Sequence, residues 1–359
     1  MMRLRRLDEV CEITMGQAPD GESYNFAGQG LPLIAGAGDF GDVHPAATKF
    51  TTAPGKICRP GDIVLGIRAT VGERVIADRE YCLGRGVAGL RPRAGLEHRY
   101  LWHWLSRATP GLAQKARGAT FKQVNRDDIG GLQIDVPTVT DQRRIAEILD
   151  KADALRAKRR AALAQLETLT GAIFLEMFGD PLSNKRGWRQ QTLKTFFHIR
   201  TGKLDSNAAV EGGRFPFFTC SQDDLRIDSF AFNCEALLLA GNNASADYSV
   251  KHYNGKFNAY QRTYVITLQD ERNSYVYARF VLAHRLTELK RISKGTNTKY
   301  LTLELLNRIQ VPVPPSEMQR LYDRRIASVS KLSSVHVRCS AGLEVLFASL
   351  QHRAFRGEL

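Results

Sequence analysis

Residue types that could carry out chemistry on a substrate are scarce in this chain. Lys56 follows Gly55 but precedes Ile57, and Lys203 follows Gly202 but precedes Leu204. Neither pair supplies the Ser or Thr hydroxyl that a phosphate loop places on Mg²⁺. No Asn/Asp-Pro-Pro-Tyr/Phe segment, G-x-S-x-G elbow or H-E-x-x-H pair occurs, so base-methylating, acyl-transfer and zinc-hydrolase sites are not expected. Glu288-Leu289-Lys290 has nuclease-like spacing, but it falls at the end of a predicted helix and reads as a surface charge pair. The six cysteines, Cys11, Cys58, Cys82, Cys220, Cys234 and Cys339, form no C-x-x-C pair. A metal site is therefore not expected, and the thiols are expected to be reduced.

What remains is a set of polar and basic residues on predicted loops, where recognition groups concentrate. In the first half these are Arg68, Thr70, Arg74 and Arg85, then Lys115, Arg117, Thr120, Lys122 and Gln123. In the second half they are Asn242, Asn243 and Ser245, then Asn258, Tyr260, Gln261 and Arg262, then Lys294, Thr296, Asn297, Lys299 and Tyr300. Arg reads guanine and Asn or Gln reads adenine through paired hydrogen bonds, while Lys, Ser and Thr suit phosphates. Any one of these side chains can equally be ordinary solvated loop polarity. Taken as two sets, they point to DNA.

The elements that must position them occur twice. Gly118-Ala119-Thr120-Phe121-Lys122 answers Gly295-Thr296-Asn297-Thr298-Lys299, an offset of 295 − 118 = 177. Without a gap, that offset also pairs Val136-Pro137 with Val313-Pro314, Gln142-Arg143 with Gln319-Arg320, and Phe178 with Phe355. Upstream the match needs small gaps: Leu7, Val10, Ile13 and Gly16 share the spacing of Leu193, Phe196, Ile199 and Gly202. Asp62-Ile63-Val64-Leu65 and Ala236-Leu237-Leu238-Leu239 both read as buried strands. Helices are expected over about 97–115 and 274–287, and Tyr24, Phe26 and Trp102 are expected in the core. The segments that differ between copies would read different things from a shared scaffold.

The best-matched segment has helical periodicity. Ile148, Ala152, Leu155, Arg159, Ala162, Leu166, Leu169 and Ile173 alternate four and three apart, as do Val329, Leu332, His336, Cys339, Leu343, Leu346 and Leu350. This predicts heptad seams, each with one polar interruption, capped by Thr140 or Ser316 after a proline segment. A helix over about 141–178 would be ~55 Å long. Its single apolar stripe needs a partner: an antiparallel intramolecular coiled coil is the economical answer, and two separate helices each packed on its own domain the alternative.

Composition bounds the rest. The chain has 359 residues, with 51 Lys+Arg against 37 Asp+Glu, a formal net charge of +14. That surplus favours a polyanionic partner. Ordinary hydrophobic content, 43%, excludes a disordered basic tail. No uninterrupted apolar run approaches the ~18 residues of a membrane span, and the basic start has no apolar segment behind it, so a cytoplasmic protein is expected.

At the repeated segment the chain resembles the specificity subunits of type I restriction–modification systems. The residues that carry this are Leu132-Gln133-Ile134-Asp135-Val136-Pro137 through Gln142-Arg143-Arg144-Ile145-Ala146, together with Asn254-Gly255-Lys256-Phe257-Asn258-Ala259 and the terminal Phe355-Arg356-Gly357-Glu358-Leu359. The resemblance departs at Asp141, where the family pattern has Glu, and at Met318-Gln319-Arg320-Leu321, a degraded copy. It implies an α+β chain with an internal pseudo-twofold repeat. Target recognition domains would span 1–139 and 180–315, and helical regions 140–179 and 316–359. It implies a non-catalytic role in which each recognition domain reads half of a bipartite, asymmetric duplex. The helices would space the readers about one DNA turn apart and dock two methyltransferase subunits, which a restriction and translocation subunit would join. S-adenosylmethionine, ATP and Mg²⁺ are expected on those partners and no cofactor on this chain. Two rivals remain: a tandem single-strand DNA or RNA module stacking bases on Tyr248, Tyr253, Tyr260 and Tyr300, and a nuclease using Glu288 and Lys290.

Overall fold

A computed structural model describes residues 4–118, 122–221, 223, 225–243, 249–292 and 299–359, with 242, 243, 288–292, 299 and 300 described by backbone alone. It divides into two compact units, Met1–Arg160 with Arg338–Leu359, and Ala161–Val337. The boundary therefore runs through the middle of both long helices, where the sequence had suggested four consecutive regions. Eight helices are described: α1 Leu7–Val10, α2 His98–Gln114, α3 Arg126–Gly130, α4 Val139–Phe178, α5 Leu193–Phe196, α6 Tyr275–Ile292, α7 Leu303–Arg308 and α8 Ser316–Ala354.

In the first unit an antiparallel sheet runs Cys11–Met15, Val87–Pro92, Ile63–Gly66, Arg74–Ile76. Ile63-Val64-Leu65 is buried on both faces, which is why it reads as a continuous apolar run. Ile63 and Leu65 join Tyr100, Leu101 and Leu105 of α2 in one core. Val64 faces the other way, with Ile34, Tyr81 and Leu83 of a five-stranded sheet. Each fully buried Leu or Ile stabilises such a core by roughly 1.5–3 kcal/mol. The second unit repeats this: Phe197–Thr201, Thr263–Leu268, Phe232–Ala240 and Val250–Ala259 lie in the same order. Leu237 and Leu239 pack with α6, and Ala236 and Leu238 pack with Phe257 on the opposite face.

The repeat extends to single hydrogen bonds. Leu4–Arg6 pairs with Gln133–Asp135, as Gln190–Thr192 pairs with Gln310–Pro312. Tyr100 donates to the Asp135 carbonyl and Tyr277 to the Pro312 carbonyl, both at the 177 offset. At the start of each long helix stands a fully buried glutamine. Gln142 accepts from the Glu97 N–H through Oε1 and donates through Nε2 to the Gly95 and Pro137 carbonyls. Gln319 accepts from the Ser274 N–H and donates to Asn273 Oδ1 and the Pro314 carbonyl. One side chain thus joins three segments: the long helix, the start of the domain helix (α2 or α6), and the proline linker.

The long helices keep the expected spans but not the expected seam. In α4 the less exposed positions include 149, 152, 156, 159, 163, 166, 170, 173 and 177, together with the expected Ile148 and Ala162, and in α8 they include 319, 322, 326, 329, 333, 336, 340, 343, 347, 350 and 354. Five of the expected seam positions therefore give way to the residue after them. Leu155, Leu169, Leu332, Cys339 and Leu346 are exposed, and Arg156, Thr170, Ser333, Ser340 and Phe347 take their places. The reason is that several true seam residues are polar: Arg156 lays its guanidinium 4.2 Å from the Phe347 ring and pairs with Glu344. A search for apolar residues selects the leucines next to them. In the first unit α4 meets α8 through this Arg156 cluster. In the second they meet where Phe174 and Phe178 pack edge-on against Tyr322.

Three smaller expectations change. Thr138, not Thr140, caps α4, its Oγ1 accepting from the Asp141 N–H at 3.2 Å. Ser316 is the first helical residue of α8 rather than the residue before it. Tyr24 and Phe26 are 40% and 74% exposed instead of core, because they lie at and just beyond the edge strand Tyr24–Asn25, with Lys49 5.9 Å over the Phe26 ring. Among the described residues α4 is also long and apolar enough to cross a membrane by length and composition alone. Polar residues interrupt it (Gln165, Glu167, Thr168, Thr170), so no uninterrupted apolar run reveals it.

Candidate nucleic-acid interface

At one end of each sheet three segments meet: the end of a central strand, the turn before its neighbour, and the chain following the domain helix. In the first unit Ile67 N–H donates to the Gly86 carbonyl (2.9 Å) and Val124 N–H donates to the Ile67 carbonyl (3.1 Å). In the second, Gly241 N–H donates to the Arg262 carbonyl (2.8 Å) and Leu301 N–H donates to the Gly241 carbonyl (3.0 Å). A bridge between Arg68 and Gln123 corresponds to the pairing of Asn242 with Tyr300. The two rims are the same construction with different side chains.

Most first-half candidates gather on this rim. Arg68 is half-buried and donates through Nε to Gln123 Oε1 at 2.7 Å. Arg117 exchanges two backbone bonds with Gln123, both 2.9 Å, and its exposed guanidinium lies 3.7 Å from Asp128. The Lys122 carbonyl accepts from the Ala69 N–H at 3.1 Å, with Ala69 at φ 57°. Thr70, Arg85, Lys115 and Lys122 are exposed.

Arg74 is not on this rim. It lies on the strand Arg74–Ile76, its guanidinium carbon 4.3 Å from the Trp102 ring, and it donates to Ser106 Oγ. Burial pulls its pKa down to about 10, with Asp153 the opposing influence. With His103, Arg156, Glu344 and Phe347 it lines a cavity of about 380 Å³ between α2 and the long helices.

In the second unit the backbone of Asn242, Asn243 and Lys299 forms the rim, beside the turn Tyr260-Gln261-Arg262. Gln261 and Arg262 are exposed and Tyr260 half-buried. Gln261 Nε2 donates to Asp205 Oδ2 at 3.3 Å. Asn258 is buried, its Oδ1 accepting from the Ala259 N–H, which is a structural role. Thr120, Ser245, Lys294, Thr296 and Asn297 lie outside the described residues, as does Tyr248, and the side chains of Glu288, Lys290 and Tyr300 are not described. Tyr253 is no free stacking platform, since its ring packs 5.3 Å from Phe218 and 5.7 Å from Phe257.

The structure adds two residues to the candidates. Exposed Gln17 and Lys203 directly follow Gly16 and Gly202, where a Cβ would lie 2.1 Å from the Gly84 carbonyl oxygen and 1.9 Å from that of Ala259. The repeated glycine is visible in the sequence; that the residue after it reaches the rim is not. Among the described residues no group of three or more His, Cys, Asp and Glu could hold a metal ion.

The profile of the type I restriction modification DNA specificity domain matches residues 2–168 and 185–332. A putative type I restriction enzyme specificity subunit of Methanocaldococcus jannaschii is 32% identical over 161 residues, covering 45% of this chain and 38% of that protein. The EcoDI specificity subunit of Escherichia coli is 35% identical over 152 residues, covering 42% of this chain and 33% of its own length. The chain thus covers only about a third of each relative's length, 38% and 33%. A crystal structure of the type I system S subunit from M. genitalium covers 99% of this chain at 17% identity, with a TM-score of 0.64, a likeness of fold. Matched by the profile in both halves, this chain belongs to the type I restriction–modification specificity family.

Proposed function

We propose that each unit reads one half of a bipartite, asymmetric duplex DNA sequence through its rim, and that the chain itself carries out no reaction. The observation that carries this is the pair of rims: equivalent backbone bonds hold different exposed side chains, Arg85, Arg117 and Lys122 on one and Gln261 and Arg262 on the other. Two readers on one scaffold with unlike contacts call for two unlike half-sites. The long helices α4 and α8, as an antiparallel pair, would set the spacing between half-sites. They would also dock two methyltransferase subunits, with a restriction and translocation subunit completing the complex in the cytoplasm. S-adenosylmethionine, ATP and Mg²⁺ would sit on those partners.

Exchanging residues 1–139 for those of another family member, followed by sequencing of methylated DNA, is expected to change one half-site and keep the other. A change in both halves would overturn the reading. Binding to duplex DNA is expected to weaken steeply with salt, because neutralising phosphates releases condensed counterions. Stronger binding to single strands would favour the single-strand module instead.

A further inference from the structure

The turn at each rim is the same turn. Val87 N–H donates to the Gly84 carbonyl at 3.2 Å, and Thr263 N–H donates to the Tyr260 carbonyl at 2.8 Å. The first residue of each turn is held by the neighbouring sheet strand: Gly84 N–H donates to the Ile34 carbonyl at 2.8 Å, and Tyr260 N–H donates to the Phe218 carbonyl at 2.9 Å. The third residue accepts from the end of the central strand through the Gly86 and Arg262 carbonyls described above. In the first unit this packing is so close that a Cβ on Gly86 would lie 2.3 Å from the Ala35 carbonyl oxygen. A backbone held from three sides places exposed Arg85 at the second position of one turn and exposed Gln261 at the second position of the other, where exposed Arg262 follows it.

We infer that these two tip residues are the base-reading pair of the recognition surfaces, Arg85 selecting a guanine in one half-site and Gln261 an adenine at the corresponding position of the other. The inference rests on the duplex-reading function proposed above. Arg presents two parallel N–H donors that match guanine O6 and N7, while Gln presents an acceptor and a donor that match adenine N6 and N7. Gln261 keeps what this needs: the bond to Asp205 uses one Nε2 hydrogen and leaves the second hydrogen and Oε1 available. A rigid turn also restricts where each side chain can reach, which base discrimination requires and phosphate contact does not.

The test uses the chain assembled with its methyltransferase subunits and sequencing of methylated DNA. The wild-type complex is expected to require a guanine in one half-site and an adenine in the other. Arg85→Lys keeps the charge but loses the paired donors. It is expected to relax the guanine requirement alone by roughly ten- to hundred-fold and to leave the other half-site unchanged. Gln261→Arg is expected to move the adenine position toward guanine. The inference is overturned if Arg85→Lys methylates the same sequence with undiminished discrimination, which would make Arg85 a phosphate contact, or if the half-site read by the first unit lacks guanine. If the wild-type complex methylates no bipartite sequence at all, the underlying function is wrong rather than the choice of reading residue.

Discussion

The space between the domain helix and the paired long helices is filled differently in the two units. In the second, Phe174 stacks 3.9 Å from Phe280 and 5.4 Å from Tyr277, with Tyr322 edge-on and Phe178 tilted against it. In the first, the residues at the same repeat positions are Gln351, His103, Tyr100, Ile145 and Phe355. Only the Tyr100–Phe355 contact, 5.4 Å and edge-on, survives from that aromatic cluster. Where the second unit has an aromatic stack, the first has the cavity lined by Arg74, His103, Arg156 and Gln351. Arg74 Nε and Gln351 Nε2 are buried there and find no hydrogen-bond partner among the described residues. Equivalent folds thus rest on unequal cores: one gains from aromatic burial, the other carries incompletely satisfied polar groups.

The largest consequence is at Phe174. Its replacement by Ala is expected to destabilise the second unit by about 3–5 kcal/mol, the usual cost of emptying a buried phenylalanine site. Gln351→Ala, at the matching position, is expected to cost the first unit far less. Urea denaturation followed by Trp188 in the second unit and by Trp102 and Trp104 in the first would separate the two. Equal losses would mean the cores are energetically alike and the contrast only geometric.

Next in size are the paired glutamines. Gln142→Leu leaves the Glu97 N–H and the Gly95 and Pro137 carbonyls without their partner. Stranding buried groups of this kind costs about 1–3 kcal/mol each before relaxation, so a loss of about 3 kcal/mol confined to the first unit is expected. Gln319→Leu should do the same to the second. If either change loosened both units equally, the glutamines would not be local clamps. Smaller still, and of opposite sign, is Arg74→Met. It removes an incompletely bonded buried guanidinium while keeping its volume, and stability is expected to rise by about 1 kcal/mol.

These contrasts also mark what the sequence could disclose. The strands, the domain helices and the spans of α4 and α8 were legible because apolar periodicity and the 177-residue repeat report burial directly. The alternate seam positions were not, since Arg156 is partly covered through its aliphatic stem and its partners rather than by being apolar. For the same reason the sequence places Arg74 among the loop candidates: a basic residue near a turn gives no sign of which way it points, and here Trp102 and Ser106 draw it inward. Phe26 departs in the other direction, an aromatic just beyond an edge strand and 74% exposed. The rim was legible as a set of residue types. Its construction, with Arg85 and Gln261 at equivalent tips, depended on long-range backbone bonds that no local pattern encodes.

The smallest effect distinguishes the units by pH. His103 is 2% exposed, and its Nε2 lies 2.7 Å from Asp150 Oδ1. Burial nevertheless holds its pKa below the ordinary 6.5, because desolvation outweighs the attraction of Asp150 and Arg74 opposes protonation. His98 is lowered by burial as well. The unfolded chain therefore binds protons at these sites at a pH where the folded unit does not. Stability of the first unit is complete above about pH 6.5 and falls as pH drops from there toward the folded values. The second unit has Phe280 and Tyr275 at the matching positions, and neither can take up a proton. Its half-buried Asp323 is shifted upward by desolvation, which acts at lower pH and in the opposite sense, favouring the fold as pH falls toward the ordinary carboxylate value. Urea midpoints between about pH 7 and pH 5.5 should thus decline for the Trp102 and Trp104 signals and stay nearly level for Trp188. His103→Phe, which installs the second unit's residue, should remove most of that decline, and a variant that still weakened by the same amount would assign the pH dependence to His98 instead.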